Sequence, residues 1–195
     1  KLLILLFQTW LNSPIHSLKL VRPLKSNSST TSIDQASSNR YFPAMFETAI
    51  KWSEREFVHL PWRVERTLYS TLVSELMLQQ TTVSTVINYY RPFLDKYPTV
   101  EALANATEEE VLMSWKGLGY YRRARNLHGA VKEILKKHAG IIPQDFETLL
   151  AIPGIGAYTA NALLSIGGDQ QAFPVDANLE RIISRLYGLR KKKGP

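Results

Sequence analysis

The run LLAIPGIGAYTANALLS, residues 149–165, joins two apolar segments through a very short turn, Pro153-Gly154-Ile155-Gly156. No other stretch restricts the fold as much. Pro153 stops a helix, because it lacks an amide hydrogen and drives the preceding residue out of the α region. Gly154 and Gly156 are free to take positive φ and leave neighbouring amides bare, with no Cβ in front of them. The second helix starts at once, so its unpaired N–H groups and positive dipole end face outward. Such a nest takes an anion, most often a phosphate. On pattern alone, a plain interhelical turn with glycine chosen for geometry fits nearly as well.

Charge shifts the balance. The chain carries 24 Lys and Arg against 17 Asp and Glu, a net charge of +7. That favours a polyanionic partner, nucleic acid before membrane surface. No run reaches the roughly 18 apolar residues of a membrane helix, and with nucleic acid the favoured partner no membrane is expected. Cysteine is absent, so neither disulfides nor thiolate metal sites form within these residues. His16, His59, His128 and His138 stand apart without ligand spacing, and no side-chain metal site is expected. The positive charge is concentrated over 116–137, read as a basic helical region, in Lys116, Arg122, Arg123, Arg125, Lys132, Lys136 and Lys137 against Glu133 alone. Tyr120, Tyr121 and His128 are interleaved there and could stack on bases. A solvated helix face would show the same charges.

A chain of 195 residues makes one ordinary domain or two small ones. Residues 1–40 differ from the rest: KLLILLFQTWL precedes a Ser/Thr-rich stretch, and five basic side chains accompany one acid, Asp34. A targeting segment, a misassigned start and a floppy extension fit it about equally. From Tyr41 the texture is helical, with Phe42, Met45, Phe46, Ala49, Ile50 and Phe57 recurring at helical intervals until His59–Arg63 breaks the pattern. The segment 69–97 reads as two helices separated near Gln79–Thr82. Thr99 and Thr107 stand three residues ahead of Ala102 and Glu110, the spacing of helix caps. Glycine caps are expected at Gly117 and Gly140. Asp176 opens an amphipathic helix with Leu179, Ile182, Ile183 and Leu186 on one face. With no strand pattern and no repeat, the expected class is all-α with short connections.

Two carboxylates are placed for chemistry. Glu75 lies between Leu72 and Leu78, each three residues away on the same helical face. A carboxyl against apolar surface is desolvated and its pKa rises, which suits a general acid near neutral pH. A surface glutamate at the edge of the core is the competing reading. Asp176 is a favoured N-cap type, and the same carboxylate can stabilise positive charge on a sugar whose glycosidic bond is breaking.

LAIPGIGAYTANALL resembles the helix-hairpin-helix of the base-excision DNA glycosylase superfamily that includes endonuclease III. Residues 60–189 look like its adenine DNA glycosylase branch, the MutY type. The match is carried by LPWR (60–63), SELMLQQT (74–81), PTVEALANA (98–106), GLGYYRRARNLH (117–128) and FPVDANLERIISRLYGL (173–189). These run in the family's order over about two-thirds of the chain, with residues 1–40 outside it. The resemblance implies a six-helix domain at 67–170 with the hairpin at 148–164. An N-terminal helix at 41–66 would pack on a second helical domain that begins at 171–195.

It also implies roles. Glu75 would protonate the adenine ring at N7 and help position water, Asp176 would stabilise the oxocarbenium-like sugar, and Asn178 would support Asp176. Tyr158 stands where bifunctional relatives carry the lysine that forms a Schiff base and cuts the strand. Tyrosine cannot do that, so a monofunctional glycosylase is expected. Thymine-mismatch relatives also have tyrosine there but lack the SELMLQQT set. Gln80 and Tyr120 would wedge into the duplex with Thr81 and Leu118 close by, while Gly154, Gly156 and Arg122 would hold the backbone. Trp62, Arg63 and Leu78 would line the base pocket, with core packing the alternative for Trp62 and Leu78.

The implied partner is double-stranded DNA containing adenine opposite 8-oxoguanine or guanine, bound by a monomer in a bacterial cytoplasm (nucleoid), or else in a nucleus or mitochondrion. A [4Fe–4S] cluster is expected in the full-length protein, with ligands outside this chain, and a monovalent or alkaline-earth cation at the hairpin. KKKGP reads as the point where the family's sequence continues toward the cluster and the 8-oxoguanine-recognising domain. A thymine or uracil mismatch glycosylase and a non-catalytic helix-hairpin-helix module are the alternatives.

Overall fold

The computed structural model describes residues 48, 49 and 51–186. The expectations for residues 1–40, Leu186's side chain and the KKKGP end lie outside them. The chain divides into two compact units between Val58 and His59. In the first, 48–49 and 51–57 are helical, and Trp52 meets Phe57 edge-to-face at 5.1 Å.

The second unit is all-α among the described residues. Pro61 starts a four-residue helix, α1 (Pro61–Val64), where proline's fixed φ suits the first helical position. The sequence reads His59–Arg63 only as a break, because four residues are too few to show a period. Thr67 and Ser70 form a reciprocal capping box that opens α2 (Leu68–Leu78). The break at Gln79–Thr82 is present, followed by α3 (Val83–Lys96). Thr99 caps α4 (Val100–Asn105) and Thr107 pairs with Glu110 in a capping box on α5 (Glu108–Ser114), as their spacing predicts. α5 ends at Ser114, three residues before the expected glycine stop, and Gly117 takes φ +102° in the turn that follows. The long basic helix, α6 (Arg122–His138), starts six residues later than the charge run. Its left-handed terminal position falls on Ala139, with Gly140 next. α7 (Phe146–Leu150) and α8 (Ala157–Ala162) form the hairpin. α8 runs into a π-helical turn, Leu163–Gly167, closed by the Gly168 amide donating to the Leu163 carbonyl at 2.9 Å. α9 (Ala177–Leu186) follows Asp176.

The core is built by α2, α3, α4 and α6 around Leu72, Leu76, Tyr90, Phe93, Leu103, Trp115, Leu127 and Ile134, all at most 2% exposed. Each such side chain contributes about 1.5–3 kcal/mol by leaving water. Aromatic edges reinforce it, with Phe93 against Trp115 at 5.8 Å and Trp62 against Tyr90 at 5.5 Å. The π-helical turn packs directly on α2, the helix that carries Glu75. Two glycines set that packing. A Cβ on Gly154 would meet the Asn126 carbonyl oxygen of α6 at 2.9 Å, and one on Gly167 would meet the Leu68 Cα of α2 at 2.9 Å. The segment between them therefore rests at both ends on another helix's backbone.

Candidate active site

Glu75 is 3% exposed in the middle of α2, so the surface reading fails. Burial pushes its carboxyl up to about 7, while a hydrogen bond from Tyr158 pulls the other way. The Tyr158 hydroxyl donates to Glu75 Oε2 at 3.0 Å. The phenol is itself held protonated by burial, by the Glu75 charge and hydrogen bond, and by the charge of Asp176. One side chain thus feels both carboxylates, which lie far apart in the sequence. A buried carboxyl that titrates near neutrality, fixed by a neutral donor, is able to give up a proton and take one back.

Asp176 plays the cap and more. Its Oδ1 accepts from the Leu179 amide at 2.7 Å, and its Oδ2 accepts from Asn178 Nδ2 at 3.2 Å. Asn178 is oriented in turn by Arg181, whose Nη2 donates to Asn178 Oδ1 at 2.7 Å. Asp176 is half-buried at the start of α9, so its charge stays partly open toward solvent.

At the hairpin tip Ile155 is buried and both glycines are exposed. Gly154 has φ +90°, as expected. Gly156 does not: its φ of −92° and ψ of 171° are ordinary extended backbone, because it serves as the N-cap of α8. A Cβ there would meet nothing within 4 Å. The fold needs glycine at 154, whereas at 156 glycine is one of several residue types that suit a helix N-cap.

Gln80 and Tyr120 are exposed and both left-handed, with φ of 56° and 47°. Non-glycine residues in that region are strained, and such strain gathers at functional sites. Thr81 is half-buried beside Gln80, and Leu118 is buried two residues before Tyr120. Arg123 Nη2 donates to Thr81 Oγ1 at 2.9 Å and to the carbonyls of Leu118 and Gly119 at 3.3 and 3.1 Å. Its Nη1 donates to the carbonyls of Leu76 and Met77 at 2.9 and 2.7 Å and also to that of Gln79. Sequence reasoning counts Arg123 among the free cations of α6. The structure buries it, and no sequence signal separates it from its neighbours.

One other residue of that run is corrected. His128 is buried with Nε2 3.0 Å from the Ala106 carbonyl, where it cannot stack on a base. Arg125 pairs with Glu108 at 2.8 Å. Arg122 is exposed at the first position of α6. Trp62 and Arg63 are buried on α1, and Leu78 is half-buried at the end of α2, one turn from Glu75. No cluster of three His, Asp or Glu able to hold a metal occurs among the described residues, and none of their helices is long and apolar enough to cross a membrane.

Residues 73–195 match the HhH-GPD superfamily of base excision DNA repair proteins. The chain belongs to this superfamily. Over 130 residues it is 42% identical to an adenine DNA glycosylase of Buchnera aphidicola, covering 67% of this chain and 37% of that protein. Over 149 residues it is 42% identical to human adenine DNA glycosylase, covering 72% and 27%, and over 146 residues 37% identical to the Mycobacterium tuberculosis enzyme of that name, covering 74% and 48%. The chain therefore spans less than half the length of each of these relatives. Its fold matches a thermostable thymine-DNA glycosylase with a TM-score of 0.68 at 27% identity, over 76% of this chain and 69% of that one. It also matches a non-covalent endonuclease III–DNA complex with a TM-score of 0.66 at 26% identity, over 80% and 72%. The HhH-GPD match starts at Val73 and takes in the buried acid, the hairpin and Asp176 together.

Proposed function

We propose that the protein is a monofunctional adenine DNA glycosylase, acting as a monomer on duplex DNA with adenine opposite 8-oxoguanine or guanine. The hydrogen bond from Tyr158 to a buried Glu75 carries this reading. It supplies an acid poised near neutral pH and puts a tyrosine, not an amine nucleophile, beside it.

In this reading protonated Glu75 gives its proton to N7 of the extruded adenine as the N-glycosidic bond breaks. The bonding electrons leave with the base, and positive charge develops on the sugar. Asp176, its carboxylate fixed by the Leu179 amide and Asn178, stabilises that charge. Water then bonds to the sugar C1′, and its proton passes to the Glu75 carboxylate, restoring the acid. The product is an abasic site, and Tyr158 leaves the strand uncut.

Gly154 and Gly156 hold a DNA phosphate at the amides opening α8, with Arg122 on the same backbone. The clear space over Gly156 supports this, since it leaves the amides that open α8 uncovered for a ligand. Gln80 and Tyr120 enter the stack, and Trp62, Arg63 and Leu78 bound the base pocket. The cysteine-free chain cannot supply thiolates to an iron–sulfur cluster, so a cluster in the full-length protein draws its ligands from elsewhere.

The test uses the full-length protein and a duplex with adenine opposite 8-oxoguanine. Wild type should release adenine, and Glu75→Gln should lose at least ~100-fold in single-turnover rate. Equal release by both, or release of thymine from a T:G duplex in place of adenine, overturns the assignment.

A further inference from the structure

Arg123 is buried and multiply hydrogen-bonded, and the chemistry above does not use it. Its guanidinium is buried, lies 5.6 Å from the Trp115 ring centroid and 5.5 Å from that of Tyr120, and donates to six acceptors. A buried cation is costly unless its donors are satisfied; here the Nη hydrogens are shared among the six acceptors, while Nε is buried without a partner among the described residues. These acceptors fall in two groups. The carbonyls of Leu76 and Met77 belong to the last turn of α2, whose end carbonyls have no helical partner and whose dipole favours a cation. With Gln79 and Thr81 they bracket Gln80. The carbonyls of Leu118 and Gly119 immediately precede Tyr120. The same planar group thus holds the carbonyls before one left-handed residue and the Thr81 hydroxyl after it, and the carbonyls just ahead of the other, across 42–47 residues of sequence to the first turn.

We propose that Arg123 is a positioning residue for duplex opening: it locks the Gln79–Thr81 and Leu118–Gly119 turns into one body, so that Gln80 and Tyr120 enter the DNA as a single wedge. The proposal rests on the wedge reading of those two residues. Opening a base pair takes a few kcal/mol, which a wedge held rigid offsets with stacking contacts made in step with extrusion. Two independently moving turns would lose them. Lysine would keep the charge, but it is a point donor and cannot fork across two turns.

Full-length wild type, Arg123→Lys, Gln80→Ala and Tyr120→Ala are compared on two substrates. One is a duplex with adenine opposite 8-oxoguanine; the other holds the same adenine in an unpaired loop that needs no opening. Base extrusion is followed by 2-aminopurine fluorescence and chemistry by single-turnover release. The ratio of duplex to loop rate is read, because it does not depend on how much of a variant is folded. The expected result is a fall in that ratio of ~10-fold or more for Arg123→Lys, with slower extrusion and a nearly unchanged loop rate. An unchanged ratio for Arg123→Lys, with both alanine variants impaired, overturns the clamp and leaves the wedge standing. Unchanged ratios for both alanine variants remove the wedge, and the proposal with it.

Discussion

The hydroxyl of Tyr158 donates to Oε2 of Glu75 at 3.0 Å, across 83 residues of sequence. This bond joins the hairpin to the buried acid. It also tempers the acid: burial raises the Glu75 pKa, the phenol opposes that rise, and the outcome is about 7.

Activity should therefore depend on the protonated acid. The single-turnover rate of adenine release is expected to fall as pH rises through about 7. In Tyr158→Phe the opposing hydrogen bond is gone, so the Glu75 pKa rises further and the alkaline limb moves to higher pH. A limb that stays put or moves down contradicts the role given to Tyr158.

Stability follows with the opposite emphasis. The folded pKa of Glu75, about 7, exceeds the ordinary 4.5, so folding binds a proton in that window and stability is lost as pH rises from 4.5 to 7. Ionising the buried carboxyl costs on the order of 3 kcal/mol. Glu75→Gln, which cannot ionise, should melt higher than wild type at pH 8 and similarly at pH 4.5. Parallel melting curves at both pH values would show that the carboxyl is not desolvated.

The two hairpin glycines should respond differently. Gly154→Ala places a Cβ against the Asn126 carbonyl at positive φ, and a loss of about 1–3 kcal/mol in stability is expected from thermal melting. Gly156→Ala meets open space in extended backbone, so the fold should tolerate it, while binding to duplex DNA of any sequence weakens. Equal melting losses in the two variants would remove the distinction.

Asp176→Asn separates the cap from the charge. Asparagine still accepts the Leu179 amide, so the melting temperature should change little. Adenine release should fall by ~100-fold or more, because the developing positive charge loses its carboxylate. A variant that keeps its rate would leave Asp176 as a cap alone.

What the sequence made legible was local. Thr107 and Glu110 cap α5 from three residues apart, so spacing alone announces the cap; Glu75 is flanked by apolar neighbours, a spacing that fits a surface glutamate as well, and burial decides between them. Arg123 was hidden because five of its six acceptors are main-chain carbonyls, which carry no residue signature. Gly154 and Gly156 read alike until Asn126 is seen under one of them. The π-helical turn has no marker in LLSIG either. Gly167 makes sense only once the Leu68 backbone lies against it.

The abutment of Gly154 on α6 and Gly167 on α2 bears on how the site withstands change over generations. Main-chain contact is nearly blind to which side chain the neighbouring position carries. Substitutions on the helices beneath need not disturb the perch of Tyr158 over Glu75. The two glycines themselves enjoy no such licence.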